Sequence, residues 1–139
     1  MHERSVLAIE FPLRMDRQFQ LWSYQVSHRV LLLRSNITRD ATSRVDLMFR
    51  SVSAMELRSR YEWISVDLAS DSRREQLSSL GVEVAAGAHL FSIESAFPGA
   101  GYVVAGSFYY AEDDMDYGQP SSIDHPELAH RQISSGEFG

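Results

Sequence analysis

The sequence contains no cysteine and no lysine, and these two absences exclude several kinds of chemistry. Without cysteine the chain has no disulfide, no thiolate metal ligand and no thiol nucleophile. Without lysine it has no P-loop phosphate lysine, no Schiff base and no lysine general base. All thirteen basic residues are therefore arginine, a usage typical of a GC-rich bacterial genome.

Long hydrophobic runs are also missing. The longest uninterrupted aliphatic run, Val30 to Leu33, has four residues, whereas a membrane-spanning helix needs about 20. The apolar start of the chain is interrupted by Glu10 and is followed by no small-residue cleavage site. We therefore expect a soluble, cytoplasmic protein. The length of 139 residues, 44% of them hydrophobic, predicts a single domain over residues 1–139 with its own core.

The acidic residues are distributed unevenly along the chain. Residues 1–111 hold twelve arginines and twelve acids, whereas residues 112–139 hold seven acids and only Arg131, so this last segment supplies the whole net charge of −6. The negative electric field of such an acidic segment repels phosphates and attracts basic partners. The arginines are scattered among acids rather than arranged as a stripe, so the sequence predicts no nucleic-acid binding.

Alternation of apolar and polar residues recurs along the chain and predicts strands, because successive side chains of a strand point to opposite faces. In the predicted strand at residues 44–52, Val45, Leu47 and Phe49 fall on one face, and we expect the other face to be exposed to solvent. The predicted strands cover residues 5–11, 21–35, 44–52, 61–69, 89–97 and 102–111, with a weaker one at 82–86.

One short helix is expected near residues 72–80. Ser72 and Glu75 have the spacing of a capping box, Leu77 and Leu80 share one side, and Gly81 is placed to end the helix. "PGAG" predicts a hairpin between the last two strands. The fold class is therefore mainly β with a minor α component, an antiparallel β-sandwich or open barrel of about seven strands.

Known cofactor and metal motifs fail on their spacing. In "GAGYVVAG", Val104 stands where a dinucleotide-binding fingerprint needs its third glycine. A calcium loop starting at Glu112 would have Tyr117 in place of glycine, and one starting at Asp114 would end in His125 rather than glutamate. No two of the five histidines are four residues apart, as two imidazoles on one helix face require. We predict no cofactor and no metal.

The acidic segment 112–139 carries apolar anchors that a solvated tail would lack, and "DHPEL" has a proline at the first position of a helical turn. We expect this segment to pack on the sheet edge with Glu112 to Asp116 outward, and to fray after about residue 132. The alternative is a solubilising tail that trails from the domain. The predicted partner-binding residues are Tyr110, Glu112, Asp113, Asp114, Asp116 and Tyr117.

Three segments carry a resemblance. "WSYQVSHRVLLLRS", "RVDLMFRSVSAMEL" and "GYVVAGSFYYAEDD" resemble small bacterial β-proteins and are similar in style to immunity proteins of polymorphic toxin systems. The resemblance covers about residues 5 to 125. It implies a non-enzymatic protein that binds a protein partner such as a toxin and blocks its active site.

Two other functions remain open. The first is a small-molecule-binding barrel or hydrolase with an aromatic-lined pocket, built from Trp22, Tyr24, Trp63, Tyr102 and Tyr109 with Glu94 or His89 as polar contacts. The second is a homodimer formed through an exposed strand edge. His28 and Asp46 lie in adjacent predicted strands, and we expect any contact between them to be a structural hydrogen bond.

Overall fold

A computed structural model describes residues 7–139 and shows two β-sheets packed against each other. Helix α1 (Asp71–Ser79) lies between the eighth and ninth strands, and a 3-10 helix (Pro126–Arg131) precedes the last. The twelve strands of the described residues are β1 (Leu7–Ala8), β2 (Leu13–Met15), β3 (Phe19–Gln25), β4 (Val30–Ser35), β5 (Arg44–Arg50), β6 (Ala54–Glu56), β7 (Arg60–Tyr61), β8 (Ile64–Leu68), β9 (His89–Glu94), β10 (Gly101–Ala105), β11 (Ser107–Asp113) and β12 (Gln132–Phe138).

The strands form two sheets. The large sheet has the order β1-β12-β11-β5-β4-β3-β7, and the small sheet has the order β2-β8-β9-β10-β6. Every strand pairing is antiparallel apart from the parallel pairing of β1 with β12. The predicted mainly β class is confirmed, and the two sheets make a sandwich rather than a closed barrel.

One continuous cluster of buried side chains fills the space between the sheets. The large sheet contributes alternate residues of β5, namely Val45, Leu47 and Phe49, and the small sheet contributes Phe91 and Ile93 of β9. This alternation is the pattern expected of strands with one face on the core. A second, smaller cluster lies on the other side of the small sheet, where helix α1 buries Leu77.

The predicted helix is confirmed with a shift at each end. Ser70, not Ser72, caps it, since the Ser70 side chain accepts a hydrogen bond from the Arg73 amide (3.2 Å). Gly81 follows the helix with φ +90°, as the terminating position requires. Of the two leucines predicted to share one side of the helix, Leu77 is buried and Leu80, which follows the last helical residue, is 74% exposed.

The sequence predicts about seven strands, whereas the described residues form twelve. Strands β2, β6 and β12 lie outside the predicted ranges, and two long predicted strands are each broken. Residues 21–35 form β3, a turn and β4, and Arg29 in that turn has φ +54°. Residues 102–111 form β10 and β11, which belong to different sheets. The break falls at Gly106, where an added Cβ would lie 3.2 Å from the Cβ of Ser51. Both runs are rich in strand-forming residues throughout, so their composition does not reveal the break.

Three other predicted features also differ. The first predicted strand, 5–11, is reduced to β1 over the described residues, and its residues 5 and 6 lie outside them. The weak strand at 82–86 is a loop in which Val82 and Val84 pack beside α1. The expected fraying after residue 132 is wrong, because β12 pairs with β11 as far as Phe138. Gly136 permits this pairing, since a Cβ there would lie 2.5 Å from the Tyr110 ring.

Candidate functional site

The acidic segment crosses the outer face of the large sheet. We call residues 114–131 the strap, because they leave β11, pass over that face and return to β12 through the 3-10 helix. Within the strap, the side chain of Met115 is fully buried. The predicted proline at the start of the helical turn is confirmed at Pro126. The strap is thus bound to the face of the sheet, whereas the sequence predicted its edge.

Arg44 holds the strap down. Its Nε and Nη2 donate to the two carboxylate oxygens of Asp113, at 3.1 Å each. Its remaining three donors reach strap carbonyls: Nη1 donates to Asp116 O (3.2 Å) and Gln119 O (2.7 Å), and Nη2 donates to Pro120 O (2.9 Å). All five N–H groups of the guanidinium therefore have acceptors, which allows this cation to be fully buried.

A second buried pair lies beside the first. Arg34 donates from Nε and Nη2 to the two oxygens of Asp46, at 2.7 and 3.0 Å. Arg44 Nη2 is 3.8 Å from Asp46 Oδ2, so the two pairs form one network of two cations and two anions. The wet face predicted for β5 is therefore wrong: Arg44 and Asp46 are buried, because a neutral, fully paired set of charges can be removed from water.

Asp113 is part of this network and is not available to a partner. Besides Arg44, it accepts hydrogen bonds from the Met115 amide (3.0 Å) and the Ser122 hydroxyl (3.1 Å). The side chain of Gln132 donates to the hydroxyl and carbonyl of Ser122, at 3.2 Å each. The prediction that Asp113 points outward is wrong, since its side chain lies opposite Arg44 on the covered face of the sheet.

Tyr110 and Glu112 lie on the opposite, core side of β11. Tyr110 is half-buried against the core cluster. The Ser43 hydroxyl donates to Glu112 Oε2 (2.5 Å), and Arg17 Nη1 donates to the same hydroxyl (3.1 Å). Burial lowers the pKa of Arg17, and the charge of Glu112 opposes that shift. Glu112 therefore takes part in a hydrogen-bond chain with Ser43 and Arg17 on the core side of β11, and its expected outward position is also wrong.

The other three predicted residues are exposed together on the strap. Asp114 accepts a hydrogen bond from Arg131 Nε (2.6 Å), and the Asp116 amide donates to Gln119 Oε1 (2.7 Å). Tyr117 is 67% exposed. Its ring meets the ring of Trp22 edge-on at 5.1 Å, a contact that predefines the position of the phenol ring.

Three residues that organise this surface are not predicted from the sequence, namely Arg34, Arg44 and Ser122, and Trp22 is predicted only as a wall of an aromatic pocket. An Arg-x-Asp pattern on one face of a strand, together with an acidic segment that follows another strand, is the signal that could have indicated the buried arginines. This signal can be interpreted only when the pairing of β5 with β11 is known, because that pairing places Arg44 opposite Asp113.

His125 caps the 3-10 helix and is sensitive to pH. Its Nδ1 lies 2.8 Å from Asp124 Oδ1 and 2.9 Å from Ser121 O. The bond to Asp124, then the bond to Ser121, raise the pKa of His125 above its ordinary value.

Because the pKa of His125 is higher in the folded state, the protonated ring stabilises the fold. This stabilisation is complete below the unfolded-state pKa of about 6.5 and is lost as the pH rises through the folded-state pKa. We expect an NMR titration of the His125 ring to show a lower midpoint in Asp124→Asn than in the wild type. An unchanged midpoint would show that the carboxylate is not the cause. The effect on the free energy of unfolding is small, because the pair is exposed.

The residues proposed for an aromatic pocket do not line one interior. Trp22 and Tyr109 lie on the outer face of the large sheet, where Arg34 and Arg50 stack on them at 5.0 and 4.6 Å. Tyr102 packs beneath α1, Tyr24 packs against the core, and Arg14 covers Trp63 at 4.0 Å. His89 packs on Phe138 at 4.8 Å, and Glu94 lies by a cleft beside α1. The space between the sheets is filled by phenylalanine and aliphatic side chains.

The remaining candidates are separated as well. Asp46 pairs with Arg34, whereas His28 lies in the exposed turn after β3 with its Nδ1 3.0 Å from Ser27 Oγ. The expected hydrogen bond between His28 and Asp46 is therefore wrong. Within residues 7–139, no group of three or more histidine, aspartate or glutamate side chains could hold a metal ion. Over the same residues, no helix is long and apolar enough to cross a membrane.

No family model, curated protein or solved structure matches this chain. The geometry itself separates two roles among the charged residues. Arg34, Arg44, Asp46 and Asp113 are buried and mutually paired, and they fix the strap to the sheet. Asp114, Asp116 and Tyr117 are turned to solvent on the far side of the same strap.

Proposed function

We propose that this chain is a non-enzymatic protein-binding domain whose contact surface is the exposed side of the strap. One observation carries the proposal: Tyr117 is 67% exposed, yet Trp22 holds its ring in place. Aromatic residues that are exposed before binding and become buried on binding supply much of the affinity of protein interfaces. Asp114 and Asp116 closely precede this aromatic residue in the sequence.

The strap is suited to binding because its backbone is already ordered. Three of its carbonyls, at Asp116, Gln119 and Pro120, accept hydrogen bonds from Arg44, and a fourth, at Tyr117, lies 3.4 Å from Arg34 Nη1. A surface whose conformation is fixed before binding loses less conformational entropy on association. The buried charge network therefore supports binding indirectly, without contacting the partner.

The charge of the strap indicates the kind of partner. Residues 114–131 contain four exposed acids, Asp114, Asp116, Asp124 and Glu127, and one arginine, so their net charge is −3 with histidine neutral. An acidic surface attracts a basic protein and accelerates its association. It repels nucleic-acid phosphates. We infer a basic protein partner and no nucleic-acid partner.

The resemblance to immunity proteins of polymorphic toxin systems suggests the biological setting of such a complex. In that setting the chain is a cytoplasmic bacterial protein, and its acidic strap covers the basic active-site surface of a toxin. The same surface would serve an accessory protein that binds another basic partner. Both uses require an ordered acidic surface with an aromatic centre.

Charge reversal on the strap tests this proposal. We expect the variant Asp114→Arg/Asp116→Arg to capture much less of a specific protein from a lysate of the source cells than the wild type does at low salt. With that protein purified, association should slow about tenfold or more, and the wild-type rate should itself fall with added salt. Biolayer interferometry at several salt concentrations measures both effects.

Tyr117→Ala should instead increase the dissociation rate.

A matched control makes the same change of charge elsewhere. Glu75→Arg/Glu83→Arg alters two exposed acids on the helix side of the small sheet, away from the strap. It should bind as the wild type does. Equal capture by both double variants, or an association rate that salt does not affect, would refute the strap as the contact surface.

A further inference from the structure

Strand β3 has an open edge in the described structure. β3 pairs with β4 over most of its length, but its pairing with β7 on the other side involves only Phe19 and Gln20. One more hydrogen bond, from the Leu21 amide to Ser59 O (2.9 Å), continues this pairing. Beyond it, over residues 22–25, no backbone hydrogen bond joins β3 to any described strand other than β4.

The outermost strands of the two sheets are short, and three of the four contain a charged residue, two features that oppose further strand pairing. β7 has two residues and includes Arg60. β2 has three residues, and its Arg14 is exposed and paired with Asp16 at 2.9 Å. β6 has three residues and ends in Glu56. β1 has two residues, Leu7–Ala8, and begins at the first described residue.

β3 lacks this protection. Residues 19–27 contain no charged side chain and no proline. Ser23 and Gln25 are exposed along the open part. The apolar residues at its two ends are also exposed, Leu21 at 40% and Val26 at 79%. A bulge between Leu21 and Ser23 separates this part from the stretch that pairs with β7, so a different strand can pair with it.

We propose that residues 22–25 of β3 pair with the same residues of a second copy of this chain, in antiparallel orientation about a two-fold axis. In such a pair each residue faces a residue of its own segment, so a charge in the segment would face a like charge and oppose association. A segment without charge in a chain of net charge −6 is free of that repulsion. The pairing joins the two large sheets into one continuous sheet.

The choice of a second copy follows from this self-complementarity. A basic foreign strand would be recognised by acids along the edge, and residues 19–27 have none. The aromatic pair of Trp22 and Tyr117 lies at one end of the open edge on the outer face of the sheet.

Sedimentation velocity over a range of protein concentrations tests the proposal. We expect the wild type to form a dimer, and we expect each of the variants Ser23→Lys/Gln25→Lys and Ser23→Glu/Gln25→Glu to raise its dissociation constant about tenfold or more. Mixing the two variants should restore dimerisation, because opposite charges then face each other. The control Ser72→Lys/Gln76→Lys, on exposed positions of α1, should dimerise as the wild type does.

A second measurement does not depend on the variants. Hydrogen exchange of the residue 22–25 amides in the wild type should slow as the protein concentration rises, whereas exchange in α1 should not change. A wild type that stays monomeric at near-millimolar concentration would overturn the proposal. So would a dimer that survives both charged variants, or one that the α1 control disrupts equally.

Discussion

Replacing Arg44 by methionine is expected to lower the free energy of unfolding by about 3–5 kcal/mol, the cost of breaking a buried ion pair by removing one partner. For a chain of this size the unfolding temperature would fall by about 10–20 °C. The physical reason is that Asp113 stays buried without its counterion, and the carbonyls of Asp116, Gln119 and Pro120 lose their shared donor. Urea denaturation followed by circular dichroism measures the change.

Two further variants define what is lost. Arg50→Met changes an arginine on the same face of β5 that stacks on Tyr109 and forms no ion pair with any described residue, and it should cost less than about 1 kcal/mol. The double variant Arg44→Met/Asp113→Leu removes both charges of one pair and should recover part of the loss, giving a clear coupling energy in a double-mutant cycle. If Arg44→Met were as mild as Arg50→Met, the network would not fix the strap.

Phe91→Ala is expected to have an effect of similar size, about 3–5 kcal/mol, because it leaves a cavity in a densely packed core. Phe91 is fully buried in the small sheet. Its ring lies 5.3 Å from that of Phe49 and 5.6 Å from that of Phe108, both in the large sheet. The loss would therefore weaken the contact between the sheets.

The matched control is Phe97→Ala. Phe97 is 55% exposed, and Arg58 lies over its ring at 4.8 Å. Its loss should cost less than about 1 kcal/mol. The two variants can be compared by their urea denaturation midpoints, provided that the dependence of the unfolding free energy on urea concentration is the same in both. A mild effect of Phe91→Ala would mean that the two sheets adjust to fill the space, contrary to a rigid core.

Local features of the fold could be predicted from the sequence because their causes are local. The alternation of β8 buries Ile64 and Val66 as expected, and Gly81 ends α1 as its position indicates. Pro126 begins the predicted helical turn. Each of these depends on a few neighbouring residues, so the sequence pattern contains the whole cause.

The charge network could not be predicted because its cause is not local. The same alternation that places Arg44 and Asp46 on one face of β5 fits both a wet face and a face covered by another segment. Only the pairing of β5 with β11 brings Asp113 to Arg44, and only the strap excludes water from them. The sequence therefore identified the acidic segment correctly as a packed element but reversed the orientation of Asp113.

Arg44 also constrains the order in which the chain can assemble. Its acceptors on Asp113, Asp116, Gln119 and Pro120 lie 69 to 76 residues further along the chain. These bonds cannot form until β5 and β11 have paired, so we place docking of the strap after formation of the large sheet. Because one guanidinium holds all these groups, we expect the strap to open and close as a single cooperative unit instead of fraying residue by residue. The proposed binding surface would then be the last part of the molecule to form during folding.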